Sequence, residues 1–151
     1  MKKLLIYFSM TGNGDYVAKY YKDHNYDIRK VITKKKYPKH KFFMMMTGGF
    51  RAGFGLKDKL IDFDKSVDSY KEIVIGSPIW FDRLSPAINS VLNQINIDDK
   101  KVTFVLYSAS GVANKATEKI NKLYKGKVIV LKEPKKNKEE IKKLWELLVE
   151  Y

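Results

Sequence analysis

The chain has 151 residues, 44% hydrophobic and 13% aromatic, which suits one ordinary packed domain and argues against a disordered chain. It has no cysteine and only two histidines, His24 and His40. That excludes a disulfide scaffold, an iron–sulfur cluster, a thiolate zinc site and a cysteine nucleophile, and it speaks against a histidine-rich metal site. Thirty Lys/Arg against seventeen Asp/Glu leave a formal charge of +13, with seven basic residues and no acid from 29 to 41; nucleic acid, an anionic membrane surface, an acidic partner or a merely solvated lysine-rich surface all fit such a charge.

In chain order, residues 4–8 (Leu-Leu-Ile-Tyr-Phe) form a continuous apolar run, the pattern of a strand buried on both faces. The run is too short for a signal-peptide core, and no apolar stretch nears the roughly 18 residues of a membrane helix, so a cytoplasmic location without a transmembrane segment is expected. From Asp15 the spacing turns helical, with Val17, Ala18 and Tyr21 on one face. A shorter strand is expected over 26–32, and a third over 73–75, ending at Gly76-Ser77-Pro78. Ser85 as N-cap and Pro86 at the first helical position open a helix whose apolar face is Ile88, Val91, Leu92 and Ile95. A fourth strand spans 102–107. The next helix carries Ala116, Ile120 and Leu123 and closes at Gly126. A fifth strand spans 128–131, and a last helix spans 137–149 with Ile141, Leu144, Trp145 and Leu148 facing inward. Between the second and third strands lie forty residues, 33–72, with three consecutive methionines and four glycines; one helix is expected within them.

Five short buried strands alternating with helices predict a single α/β domain over 1–151, with a parallel sheet and helices on both faces. Ligands of open α/β sheets bind beyond the carboxyl ends of the strands, so three loops are the candidate site. The first is Ser9, Met10, Thr11, Gly12, Asn13 and Gly14. Its hydroxyls, its glycines and the following helix N-terminus suit a phosphate, although such residues also make ordinary turns. The second is Ser77, Pro78, Ile79, Trp80 and Phe81, where two aromatics past a strand end are expected to be partly exposed and to suit a planar ligand; packing is the alternative for the tryptophan. The third is Ser108, Ala109, Ser110 and Gly111, whose small side chains leave room for a ring. No catalytic side chain and no metal ligand set is identified.

Together these loops resemble the flavodoxin family of flavin mononucleotide (FMN) proteins. Ser9-x-Thr11-Gly12-Asn13 is similar to the family's phosphate loop, and the run from Val74 to Trp80 is similar to the loop that covers the flavin ring. The resemblance implies a flavodoxin-like three-layer sandwich, strand order 2-1-3-4-5, with FMN as cofactor in electron transfer through the bound flavin. The alternative it implies is an FMN-dependent NAD(P)H:quinone or flavin oxidoreductase, with a nicotinamide or quinone substrate. Three departures stand out. Gly14 replaces a hydroxyl, Phe81 stands where electron carriers have a glycine whose peptide flips, and the chain is basic where flavodoxins proper are acidic. An acidic redox partner protein is therefore the expected kind of partner. A basic module that binds nucleic acid is the reading from another class; the near absence of basic residues from the three loops, Arg83 apart, counts against it.

Overall fold

The computed structural model describes residues 1–149, the side chains of 41, 42, 45 and 147–149 aside. The elements are β1 (Lys3–Tyr7), α1 (Asn13–Asp23), β2 (Asp27–Lys30), α2 (Lys41–Gly53), β3 (Glu72–Trp80), β4 (Arg83–Leu84), α3 (Pro86–Gln94), β5 (Lys101–Ser108), α4 (Asn114–Leu123), β6 (Lys127–Lys132), a short 3-10 turn (Lys138–Ile141) and α5 (Lys142–Val149). The sheet runs β2-β1-β3-β5-β6, parallel throughout, with β4 folded back antiparallel on the end of β3. With that two-residue strand left out, this is the expected order, and it defines the flavodoxin-like arrangement.

The continuous apolar runs are explained by a sheet covered on both faces. Leu4, Ile6, Ile73, Ile75, Phe104 and Leu106 share one core with Met44 and Ala52 of α2, Ile88 and Val91 of α3 and Ile120 of α4. Leu5, Tyr7, Val74, Val105 and Tyr107 share the other with Val17 and Tyr21 of α1 and Leu144 of α5. Each large apolar side chain so buried contributes about 1.5–3 kcal/mol. Ser85 caps α3 as its sequence predicts, accepting the Ile88 N–H at 3.4 Å, with Pro86 at the first helical position.

Four expectations are corrected. β3 does not stop at Ile75 but stays paired to β5 as far as Pro78, and it ends at Trp80. β2 is only four residues long, and Ile32 beyond it is 55% exposed. Leu123 and Trp145 face solvent, because Ile120 and Leu144 already fill the turns of α4 and α5 that meet the sheet. The expectation for Leu148 falls outside the described side chains. The 33–72 segment contains one helix, α2, as expected, and the chain on either side of that helix is joined by an antiparallel bridge, Thr33 to Leu60.

Candidate functional site

Strand order reverses between β1 and β3, so α1 and α3 leave the sheet on opposite faces and their preceding loops open a crevice. The β1–α1 loop is built around two glycines. Gly12 caps α1 in the left-handed region at φ 93°, where an L side chain is strained, and its carbonyl accepts the Tyr16 N–H. Gly14 is needed for space: a Cβ there would lie 2.5 Å from the Tyr107 hydroxyl and 2.7 Å from Ser9 Cβ. Ser9 Oγ accepts the Gly14 N–H at 3.1 Å, so this hydroxyl shapes the loop. Thr11 stays exposed at the rim, contacted only weakly by Asn13 Nδ2 at 3.4 Å.

Beneath the loop, Tyr107 donates to the Phe8 carbonyl and Tyr7 donates to Asp15 at 2.8 Å. Lys30 at the end of β2 pairs with the same Asp15 oxygen at 2.8 Å. Burial pushes the Asp15 carboxyl up, but the hydrogen bonds from Lys30 and Tyr7, with the charges of Lys30 and Lys135, outweigh it and hold the group below its usual value. A depressed native value means a stabilising contribution that is complete above the ordinary carboxylate pKa and disappears as pH falls through the native one. Asp15→Asn is therefore expected to remove the part of the acid-unfolding profile that lies in that window, measured by circular dichroism, and to leave stability at higher pH lower and flatter.

A basic residue enters the loop from far along the chain. The Lys135 N–H donates to Asn13 Oδ1 at 3.1 Å, and a Cβ on Gly12 would sit 3.0 Å from Lys135 Nζ. The three loops themselves carry almost no basic residue, Arg83 apart, but the segment after β6 lays an ammonium group beside the glycine cap. Nothing local in the sequence marks it, since 122 residues separate the partners.

The second loop is a β-hairpin. Phe81 and Asp82, at φ 47° and 60°, make a two-residue turn with both central residues in the left-handed region, an arrangement usually reserved for Gly, Asn and Asp. The strain is held from outside. Asp82 Oδ2 accepts the Lys115 N–H at 3.1 Å and its carbonyl accepts the Ala116 N–H at 3.0 Å, so Asp82 caps α4, whose own N-cap side chain is an alanine. Phe81 is 63% exposed, but Trp80 is 7% exposed, packed on Phe8 and Tyr37 at centroid distances of 6.1 and 5.2 Å. The expectation of an exposed tryptophan is therefore corrected: Gly48 and Gly49 of α2 pack directly over Trp80 and Phe81, where a Cβ would overlap their rings. Ser77 is fully buried, bridging to Ser85 Oγ at 3.1 Å, and Pro78 is paired to Tyr107, so both build the hairpin base; Ile79 is partly buried beside them.

In the third loop Ser108 and Ser110 satisfy each other at 3.1 Å and both reach the Val112 carbonyl. Ala109 and Ser110 are exposed, and Gly111 turns at φ 80° against Lys132. An open groove of about 470 Å³ runs from Gly111 and Val112 along Thr117 and Glu118 of α4 to Val130, with no residue of the β1–α1 loop in its lining. Thr11, Lys135, Phe81 and 109–111 thus rim the carboxyl edge of the sheet, whereas Ser9, Ser77, Pro78 and Trp80 support it from below.

No protein-family model matches the chain, and no curated protein sequence matches it. Solved structures do. A candidate flavoprotein from Bacteroides eggerthii superposes with a TM-score of 0.69 at 19% identity, covering 87% of this chain and 88% of that one. One from Bacteroides uniformis gives 0.62 at 22% identity, covering 85% and 90%. A flavoprotein from Lactobacillus acidophilus in complex with FMN gives 0.64 at 19% identity, again covering 85% and 90%. At these identities the likeness establishes the shared fold.

Proposed function

We propose that this protein binds FMN at the carboxyl edge of β1, β3 and β5 and uses it for redox chemistry. The observation that carries the reading is the turn at the head of α1, which combines a left-handed glycine, an exposed threonine hydroxyl, the leftover amides of an eleven-residue helix and, beside Gly12, the Lys135 ammonium. The residues present fit a flavin monophosphate, with anion donors at the head of α1 and, past β3 and β5, the exposed Phe81 ring and the small residues 109–111. The shared fold with a protein in complex with FMN supports the same reading. Bound flavin supplies the electron or hydride chemistry. The chain's own residues bind and orient it: Thr11 and Lys135 hold the phosphate, Ser9 keeps the Gly14 amide in place, and Phe81 offers an aromatic surface to the ring.

Thr11→Ala is expected to weaken FMN by about 1–3 kcal/mol, the scale of a lost hydrogen bond to a charged group. Lys135→Ala should cost less, about 0.5–1 kcal/mol, and its effect should fade at high salt because the ammonium is exposed. FAD should bind less well than FMN, since the described residues offer no separate adenine site. Titration by flavin fluorescence at two salt concentrations checks all three. Unchanged affinity in both variants would remove the phosphate assignment.

Electron transfer and an FMN-dependent NAD(P)H:quinone or flavin oxidoreductase are the two forms this chemistry takes. One observation favours the second: the hairpin tip is Phe81–Asp82 with Asp82 tied to α4, so the freely flipping glycine peptide of the electron carriers is absent. A potentiometric titration resolving one-electron from two-electron reduction, run beside an NAD(P)H oxidation assay, separates them.

A further inference from the structure

α2 has an inner face that the fold consumes and an outer face that the proposed flavin site does not use. Inward, Met44 and Ala52 are buried and the Gly48–Gly49 pair seats on Trp80 and Phe81. Outward, Phe43, Met46 and Phe50 are 56%, 54% and 62% exposed, and the stripe continues past the helix end through Phe54 (69%) to Leu56. The spacing 43, 46, 50, 54 places four large apolar side chains in one row, where a surface helix ordinarily carries polar residues. Beside the row an open groove of about 450 Å³ extends the apolar surface from Met46 and Phe50 to Leu56, with Lys35 at its edge.

The charge around this face has one sign. Between Ile28 and Lys57 the chain has nine Lys/Arg and no Asp or Glu. Three of the nine are neutralised from elsewhere: Arg29 by Asp64, Lys30 by Asp15 and Arg51 by Asp58. Lys34, Lys35, Lys36 and Lys39, in the segment leading into α2, are exposed. A second copy of this chain would bring a like charge of +13 against these lysines, which argues against self-association.

We propose that the outer face of α2 and the 34–39 lysines form a peripheral docking surface for an anionic lipid bilayer, the phenylalanines and Met46 entering the acyl boundary and the lysines lying among the headgroups. Two features favour lipid over an acidic redox protein. Protein interfaces deplete lysine, and here the exposed cations flanking the row are all lysines on mobile stems that can lay their methylenes along the headgroup region. An apolar helix face flanked by a basic cluster combines the two attractions that hold a helix in the interfacial plane. Among the described residues no helix is long and apolar enough to span a membrane, so the association is a surface one. The inference stands apart from the flavin reading: apo and FMN-loaded protein are expected to bind bilayers alike.

The test is co-sedimentation of the full chain with vesicles of phosphatidylcholine containing 30% phosphatidylglycerol. Binding is expected with anionic vesicles and not with phosphatidylcholine alone, and it should fall at least tenfold between 50 and 300 mM salt. Lys34→Gln/Lys35→Gln/Lys36→Gln and, separately, Phe50→Ser/Phe54→Ser should each lower it at least tenfold. Both sets change exposed side chains, and an unaltered tryptophan emission spectrum in a Trp145→Phe background, which leaves Trp80 as the one emitter, verifies that α2 remains seated. Failure to bind anionic vesicles at low salt would overturn the proposal. So would binding that survives the phenylalanine substitutions, or equal retention by soluble polyglutamate, either of which would point to an acidic protein as the occupant.

Discussion

Asp58→Ala is expected to destabilise the protein by about 3 kcal/mol, the low end for removing one partner of a buried ion pair. Asp58 is 5% exposed and collects the groups that fasten the long 33–72 segment to the rest of the fold. Arg51 at the end of α2 meets it at 2.8 Å, and the Tyr37 hydroxyl donates to its other oxygen. Its backbone carbonyl accepts the Ser90 hydroxyl and its N–H donates to the Pro86 carbonyl, both from α3. Burial first, and then the hydrogen bond to Asp58, push the Tyr37 hydroxyl well above its ordinary value, so at neutral pH it stays protonated and its O–H needs an acceptor. Without Asp58, Tyr37 and Arg51 both lose their acceptor; the guanidinium is a quarter exposed and recovers some hydration, which is why the low end is expected. Asp58→Asn keeps an acceptor for Tyr37 and should cost roughly half as much. Urea unfolding measures both. Equal losses in the two variants would mean that the charge on Arg51, and not the tyrosine, sets the cost.

Gly14→Ala is the second large effect, and it acts on the proposed phosphate turn. The added methyl would meet the Tyr107 hydroxyl at 2.5 Å, Ser9 Cβ at 2.7 Å and the Tyr7 ring at 2.9 Å. Tyr7 and Tyr107 are buried and hydrogen-bonded, so they cannot swing aside. Either α1 moves off the sheet or the Ser9–Gly14 hydrogen bond opens. A loss of about 3 kcal/mol is expected, the upper range for an overpacked site, together with a loss of FMN affinity larger than that of Thr11→Ala. Gly53→Ala is the control. Gly53 is helical with nothing within 4 Å of a new Cβ, so alanine there should be neutral or stabilise by about 0.4–1 kcal/mol. If both glycine variants unfold at the same denaturant concentration, the tight seat of α1 on Tyr7 and Tyr107 is wrong.

Much of the architecture was legible before any coordinates. A parallel strand covered on both faces favours apolar side chains at successive positions, so the cores of β1, β3 and β6, and that of β5 with Thr103 as its one polar residue, stand out as apolar runs in a lysine-rich chain. The start of α3 is written locally, because Ser85 and Pro86 act within one turn of themselves. The turn after β1 is legible for the same reason: glycine and hydroxyl residues between a strand and a helix carry their own geometry.

What tertiary structure alone decided lies wherever distant residues supply the missing half of an interaction. The Phe81–Asp82 turn has one residue that favours the left-handed region, Asp82, and a phenylalanine at its other central position; it is held by Asp82 capping the start of α4, where the chain's own N-cap is an alanine. Trp80 is buried and not offered to solvent because two glycines thirty residues earlier let α2 lie flat on it. The charge of the phosphate-like loop changes sign in character once Lys135 reaches Gly12 and Lys30 neutralises Asp15. Strand cores, caps and turns depend on neighbours a few positions away, and these the sequence determined by itself. Burial of one aromatic in place of another, and the placing of a charge at a binding turn, depend on which segments the chain brings together, and that information is not local.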